Sequence, residues 1–112
     1  MTALAATPLP EDEQDRIVRQ LAALAHTGRL TIFRELVKVF DEANTHHGLA
    51  AGELSRRLHM PPSTLSFHLK ELARADLLAS EKDGRSVIYR INGQSIRALV
   101  NFMLEDCCSE CC

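Results

Sequence analysis

The stretch "LAAGELSRRLHMPPSTLSFHLKELARADLL", residues 49 to 78, constrains the fold more than any other part of this chain. Leu54 and Leu58 are spaced for one face of a short helix over about residues 51 to 58, and "HMPP" then interrupts it. Proline is tolerated at the first position of a helix, where its missing N–H costs nothing, so Pro62 opens a second helix through "PSTLSFHLKELARAD". Leu65, Leu69 and Leu72 give that helix a buried stripe. In "LLASEKDGRSVIYRI", residues 77 to 91, Asp83-Gly84 is the dipeptide of a type I′ turn. Val87, Tyr89 and Ile91 alternate with Ser86, Ile88 and Arg90, which predicts two paired strands.

The flanks read as helix. Residues 1 to 10, with Pro8 and Pro10, form a loose arm. From Glu11 a helix begins with acidic residues at its dipole-favoured end and carries Ile17, Leu21 and Leu24 at i, i+4 and i+7. Thr27 and Gly28 punctuate, and a second helix follows with Leu30, Phe33, Leu36, Val37 and Phe40 on one face, ending near "NTHHG", residues 44 to 48. Asn92 and Gly93 precede a last helix striped by Ile96, Leu99, Val100, Met103 and Leu104. The end helices, around residues 13 to 25 and 95 to 106, carry more apolar surface than so small a domain covers alone, which predicts a homodimer.

The fold class is therefore mainly α with a small β-hairpin, in the order of a winged helix-turn-helix. Its expected organisation is an arm over 1–10, one domain over 11–106 and a cysteine tail over 107–112. A chain of 112 residues is short for a large catalytic scaffold, and it has neither a Gly-rich phosphate loop nor a His-Glu-x-x-His motif, so no enzyme is expected. No stretch approaches the roughly 18 apolar residues that span a bilayer, so the expected location is cytoplasmic, with no membrane partner and with thiols kept reduced.

Charge points to double-stranded DNA through its distribution rather than its sum. The formal net charge is −2, yet Leu54 to Ile91 holds seven basic and four acidic residues, net +3, while the remainder carries −5. With the leucine stripe turned inward, Ser63, Phe67, Lys70 and Arg74 point outward and Thr64 and Ser66 lie on the flanks. Phe67 suits a thymine methyl in the major groove, or else a neighbouring loop covers it. The three hydroxyls reach bases or phosphates, or else cap the helix start. His68 falls at the edge of the buried stripe, where a packed histidine competes with a DNA contact. Lys82 and Arg85 sit at the hairpin tip.

All four cysteines lie in "CCSECC", as Cys107, Cys108, Cys111 and Cys112. A structural crosslink stabilises by tying distant segments together, which these cannot do. Thiolates select soft or thiophilic ions. Trivalent arsenic or antimony needs only three of them in a pyramid, because a lone pair takes the fourth direction. Adjacent cysteines grip one large ion but do not readily oxidise to each other, since about 3.8 Å between neighbouring Cα atoms is short for a disulfide. Zinc, cadmium or lead is the alternative, although structural zinc sites draw two pairs from separated segments. A Cys108–Cys111 disulfide, or a thiol buffer with no DNA function, completes the range.

The helix pair of residues 49 to 78 followed by "GRSVIYRI", residues 84 to 91, resembles the ArsR/SmtB family of metal-responsive bacterial repressors. The resemblance covers roughly residues 17 to 108, and its specific part is "STLSFHLKEL" joined to "GRSVIY". It implies a homodimeric repressor that binds operator DNA when empty and releases it when a metal or metalloid occupies a sensor site. Ser63, Thr64, Ser66 and His68 match the family's DNA-facing positions, and Arg85 matches its wing-tip arginine. Two family sensor patterns are missing: "LAAGEL" lacks a cysteine pair, and "SIRALVNFMLED" lacks histidine. The remaining pattern places sensor thiols just after the last helix, where Cys107 and Cys108 stand.

Overall fold

The computed structural model describes residues 11–41 and 47–111, with side chains from residue 13 to 105 within those ranges. The elements are α1 (Glu11–Leu24), α2 (Thr27–Lys38), β1 (Leu49–Ala50), α3 (Ala51–Leu58), α4 (Pro62–Arg74), β2 (Leu78–Asp83), β3 (Ser86–Ile91) and α5 (Gly93–Cys111). The winged helix-turn-helix order is present, mainly helical with a small antiparallel sheet in the order β1-β3-β2. One core holds it together: Ile32 and Leu36 from α2, Leu54 from α3, Leu65, Leu69 and Leu72 from α4, and Leu77 at the entry to the hairpin.

The central unit follows the leucine spacing. The stripe of α4 is buried at all three expected positions, and Pro62 starts the helix. Its far end closes with a left-handed residue. Asp76 has φ 64°, the Leu77 N–H donates to the Leu72 carbonyl at 3.1 Å, and the Asp76 N–H donates to Ala73 at 3.0 Å. This is a Schellman cap, with Leu72 and Leu77 as its buried apolar pair. The chain thus turns directly from α4 into the hairpin, which fixes the wing relative to the helix.

Several expectations change. In α1 the buried residues are Ile17, Gln20 and Ala23, while Leu21 is exposed, so the stripe is rotated from the one that i+4 leucine spacing predicts. In α2, Ile32 and Leu36 face the core while Leu30 and Val37 are exposed; the helix ends at Lys38, earlier than expected, so Phe40 lies beyond it and is exposed. His26, rather than a break at Thr27, begins α2: its Nδ1 accepts from the Gly28 N–H at 3.1 Å. The wing turn is centred one residue later than expected. Asp83 pairs with Ser86, and Gly84 has φ 65° while Arg85 does not share a positive φ. Glycine at the first central position is the pattern of a II′ turn.

A third strand was absent from the reading of the residues. Leu49 pairs with Tyr89 and Ala50 with Ile88, so the segment entering α3 is stitched to the wing. Gly48 permits this, because a Cβ there would collide with the Tyr89 carbonyl oxygen. The helical backbone of α5 also continues to Cys111, past the expected end at residue 106. The side chains of Cys107, Cys108 and Cys111, the whole of Cys112, and the arm over 1–10 lie outside the described residues.

Candidate nucleic-acid interface

The angle at which α4 leaves α3 is set by a compact turn. Ser55 Oγ donates to the Met60 carbonyl at 2.6 Å, and the Met60 N–H returns a bond to the Ser55 carbonyl at 3.2 Å. Between them His59 adopts φ 53°, the left-handed conformation that reverses the chain. The N-cap of α4 is Pro61, and no side chain caps the helix. The hydroxyls of Ser63 and Thr64 are therefore free of the capping role and stand exposed at the positive end of the helix dipole.

Along the open face, Ser66 is half-buried, Lys70 and Arg74 are exposed, and Phe67 is 57% exposed. Among the described residues no loop covers Phe67. Arg29, in the first turn of α2, places its guanidinium carbon 5.7 Å from the ring centroid. A cation over an aromatic face is attractive and leaves the ring edge open.

The basic residues divide into two sets. Arg56 and Arg57 pair with Glu53 on α3, and Arg57 also reaches Glu35 of α2 at 3.2 Å. The hydrogen bonds from Lys38 and Arg57 hold the Glu35 carboxyl below the ordinary carboxylate range, and those from Arg57 and Arg56 do the same for Glu53. Arg74 pairs with Glu71 and Arg90 with Glu81, each at 3.1 Å. Among the described residues from 51 to 91, only Lys70, Lys82 and Arg85 have no ion-pair partner. They stand on the open face of α4 and at the wing tip.

His68 does not join that face. It is 7% exposed, packs against His26 with ring centroids 4.6 Å apart, and its Nδ1 accepts from Arg29 Nε at 3.2 Å. Burial first, then the His26 and Arg29 charges, lower its pKa. Its ring lies beneath the surface, the packed placement that competes with a DNA contact, and burial favours its neutral form. Its partner Arg29 went unread because it lies 39 residues earlier in the chain and off every apolar stripe.

The family described as "Helix-turn-helix domain" matches residues 24–81. The transcriptional activator HlyU of Vibrio cholerae is 30% identical over 93 residues, covering 83% of this chain and 79% of that protein. A solved ArsR-like transcriptional regulator from Rhodococcus sp. RHA1 superposes with a TM-score of 0.71 at 25% identity, over 88% of this chain and 85% of that one. The chain is an ArsR-family winged-helix transcriptional regulator. KmtR, an HTH-type transcriptional regulator of Mycobacterium tuberculosis, is 27% identical over 83% of the chain, and the chain spans 65% of its length. In this ArsR-family regulator α4 is the second helix of the helix-turn-helix and β2–β3 form the wing. No helix among its described residues is long and apolar enough to cross a membrane.

Proposed function

We propose that this ArsR-family regulator is a homodimeric repressor that holds operator DNA when metal-free and lets go when trivalent arsenic or antimony binds its C-terminal cysteines. The observation that carries the DNA half is the coincidence of unpaired cations with the open face of α4 and the wing tip. α4 enters the major groove with Ser63, Thr64, Ser66 and Phe67 toward base edges and Lys70 toward the backbone, and Arg85 on the wing meets phosphate or the minor groove.

Dimerisation is supported by the outer helices. Val18 and Leu21 of α1 and Val100, Met103 and Leu104 of α5 are exposed, while Leu99 is buried. Exposed rows of this kind on the two end helices fit a second copy. The sensing half rests on donor chemistry and spacing. Residues 100, 104, 108 and 111 follow one another at helical spacing on α5, so Cys108 and Cys111 continue the row begun by Val100 and Leu104. Three thiolates, from Cys107, Cys108 and Cys111 or Cys112, satisfy trivalent arsenic, and the site adjoins the dimer face that sets the spacing of the two recognition helices. Thiolates bind only when deprotonated, so the response strengthens as pH rises through the cysteine range.

A gel shift with the DNA upstream of the protein's own gene tests this reading, with and without arsenite. Retardation that arsenite reverses is the expected result. Substituting Phe67 or Ser66 by Ala should alter sequence preference by about 1 to 3 kcal/mol per contact, whereas Arg85→Ala should weaken binding to every sequence and flatten its salt dependence. Operator binding that survives joint replacement of Ser63, Thr64, Ser66 and Phe67 would contradict it.

A further inference from the structure

Beside the reading face of α4 lies a hollow of about 240 Å³ at the junction of α1, α2 and α4, floored by alanine side chains. Its polar lining is Arg19 of α1, Arg29 of α2, and Glu71 and Arg74 of α4. Three guanidiniums thus face one carboxylate, and that carboxylate is already taken by Arg74 at 3.1 Å. Like charges gathered around one hollow repel unless an anion sits among them. Arg19 has no hydrogen bond or ion pair among the described residues.

Arg29 is the member whose orientation is fixed. Its Nε donates to His68 Nδ1 at 3.2 Å, and its guanidinium lies 5.7 Å over the Phe67 ring. Arginine does not give up its proton, so His68 Nδ1 must be the acceptor, with the ring neutral and its hydrogen on Nε2. The terminal nitrogens of Arg29 have no partner among the described residues. A planar fork held at its inner nitrogen and across one face, with its outer donors unclaimed, is pre-oriented for an oxyanion. A volume of 240 Å³ admits a phosphate group with a few waters, each needing about 30 Å³.

Arg29 also ties the hollow to the groove-facing surface. The same side chain lines the hollow and covers Phe67, and Phe67, Glu71 and Arg74 follow at helical spacing along α4. An anion lodged there would lie along the flank of a helix in the major groove, where the DNA backbone passes.

We propose that Arg19, Arg29 and Arg74 form a seat for one backbone phosphate of the duplex whose groove α4 enters, with His68 as the residue that positions Arg29. The proposal rests on α4 being the reading helix. The seat supplies affinity without sequence information and fixes how α4 sits in the groove.

Operator duplexes carrying a neutral methylphosphonate at one backbone position at a time test it. Wild-type protein should lose roughly tenfold in affinity at one position per half-site outside the read bases. The Arg19→Gln, Arg29→Gln, Arg74→Gln variant should show no loss at that position, and its slope of log affinity against log salt should be smaller by about 1.8, one phosphate for each subunit of the dimer. Undiminished sensitivity in the variant overturns the seat, and a slope change near three phosphates' worth per subunit overturns the sharing of one. If the triple variant does not fold, Arg19→Gln alone, at an exposed helical position, reads the same two quantities. Phe67→Ala separates the two levels. A changed sequence preference with an unchanged triple-variant slope removes the seat and leaves α4 as reader, whereas no change in preference removes the reading and the seat with it. Inorganic phosphate at constant ionic strength supplies the last arm: if it raises the melting temperature of the wild type but not of the triple variant, while methylphosphonates are silent, the seat belongs to a free anion and the DNA assignment is overturned.

Discussion

α4 and α5 carry nearly the same signal in sequence, an apolar stripe at helical spacing, and the folded chain treats them in opposite ways. In α4 the stripe of Leu65, Leu69 and Leu72 is spent entirely inside the domain, and the polar face is left open. Among the described side chains of α5 only Leu99 is buried, while Val100, Met103 and Leu104 stay exposed. Periodicity states that a face wants cover; it does not state whether the same chain provides it. The difference assigns the helices their work. On the proposed function, α4 is braced from behind so that it can present side chains to DNA, and the exposed face of α5 is left for a second copy while its far end carries the cysteines.

The comparison is sharpened most strongly in the core. Leu69→Ala should cost about 2 to 5 kcal/mol in urea unfolding, independent of protein concentration, because the cavity lies within one chain. Met103→Asp should instead split the dimer: sedimentation should show monomer, and stability should lose its concentration dependence. Should Met103→Asp remain dimeric at micromolar concentration, the contrast between the two helices collapses.

A smaller effect reports on the underside of α4. Burial, followed by the charges of His26 and Arg29, lowers the His68 pKa from the ordinary 6.5. The unfolded chain therefore binds a proton that the folded chain resists. This histidine costs nothing above about pH 6.5, and stability falls as pH drops below that value, levelling off beneath the folded pKa. Urea midpoints followed from pH 7.5 to 5 should decline in the wild type, and His68→Gln should decline less. Equal slopes would mean that His68 is not held neutral.

Much of this arrangement was legible in the residues, for identifiable reasons. Pro62, the leucines of α4 and the glycine of the wing act locally, so the helix pair and hairpin follow from neighbours in sequence. The buried faces of α1 and α2 did not follow, because spacing alone does not say which apolar residues a single chain covers: Leu21, Leu30 and Val37 look like core and are exposed, whereas Gln20 looks like surface and is buried. β1 was invisible because its two residues pair with a strand about forty positions away. The outward face of α4 emerged from a helical wheel, which also set His68 at the edge of the buried stripe; only its partner Arg29 was unreadable, because it comes from another helix and leaves no periodic trace.

On the proposed function, α5 joins a thiolate sensor to a dimer whose geometry sets DNA affinity. Arsenite titration of the operator-bound protein, followed by fluorescence anisotropy, tests this most directly by comparing the wild type with the Cys107→Ser, Cys108→Ser double variant. Both proteins should bind the operator equally well without arsenite. Saturating arsenite should weaken the wild type about 5- to 150-fold, the usual range of such couplings, and leave the double variant bound. Release of the double variant at the wild-type arsenite concentration would contradict the account.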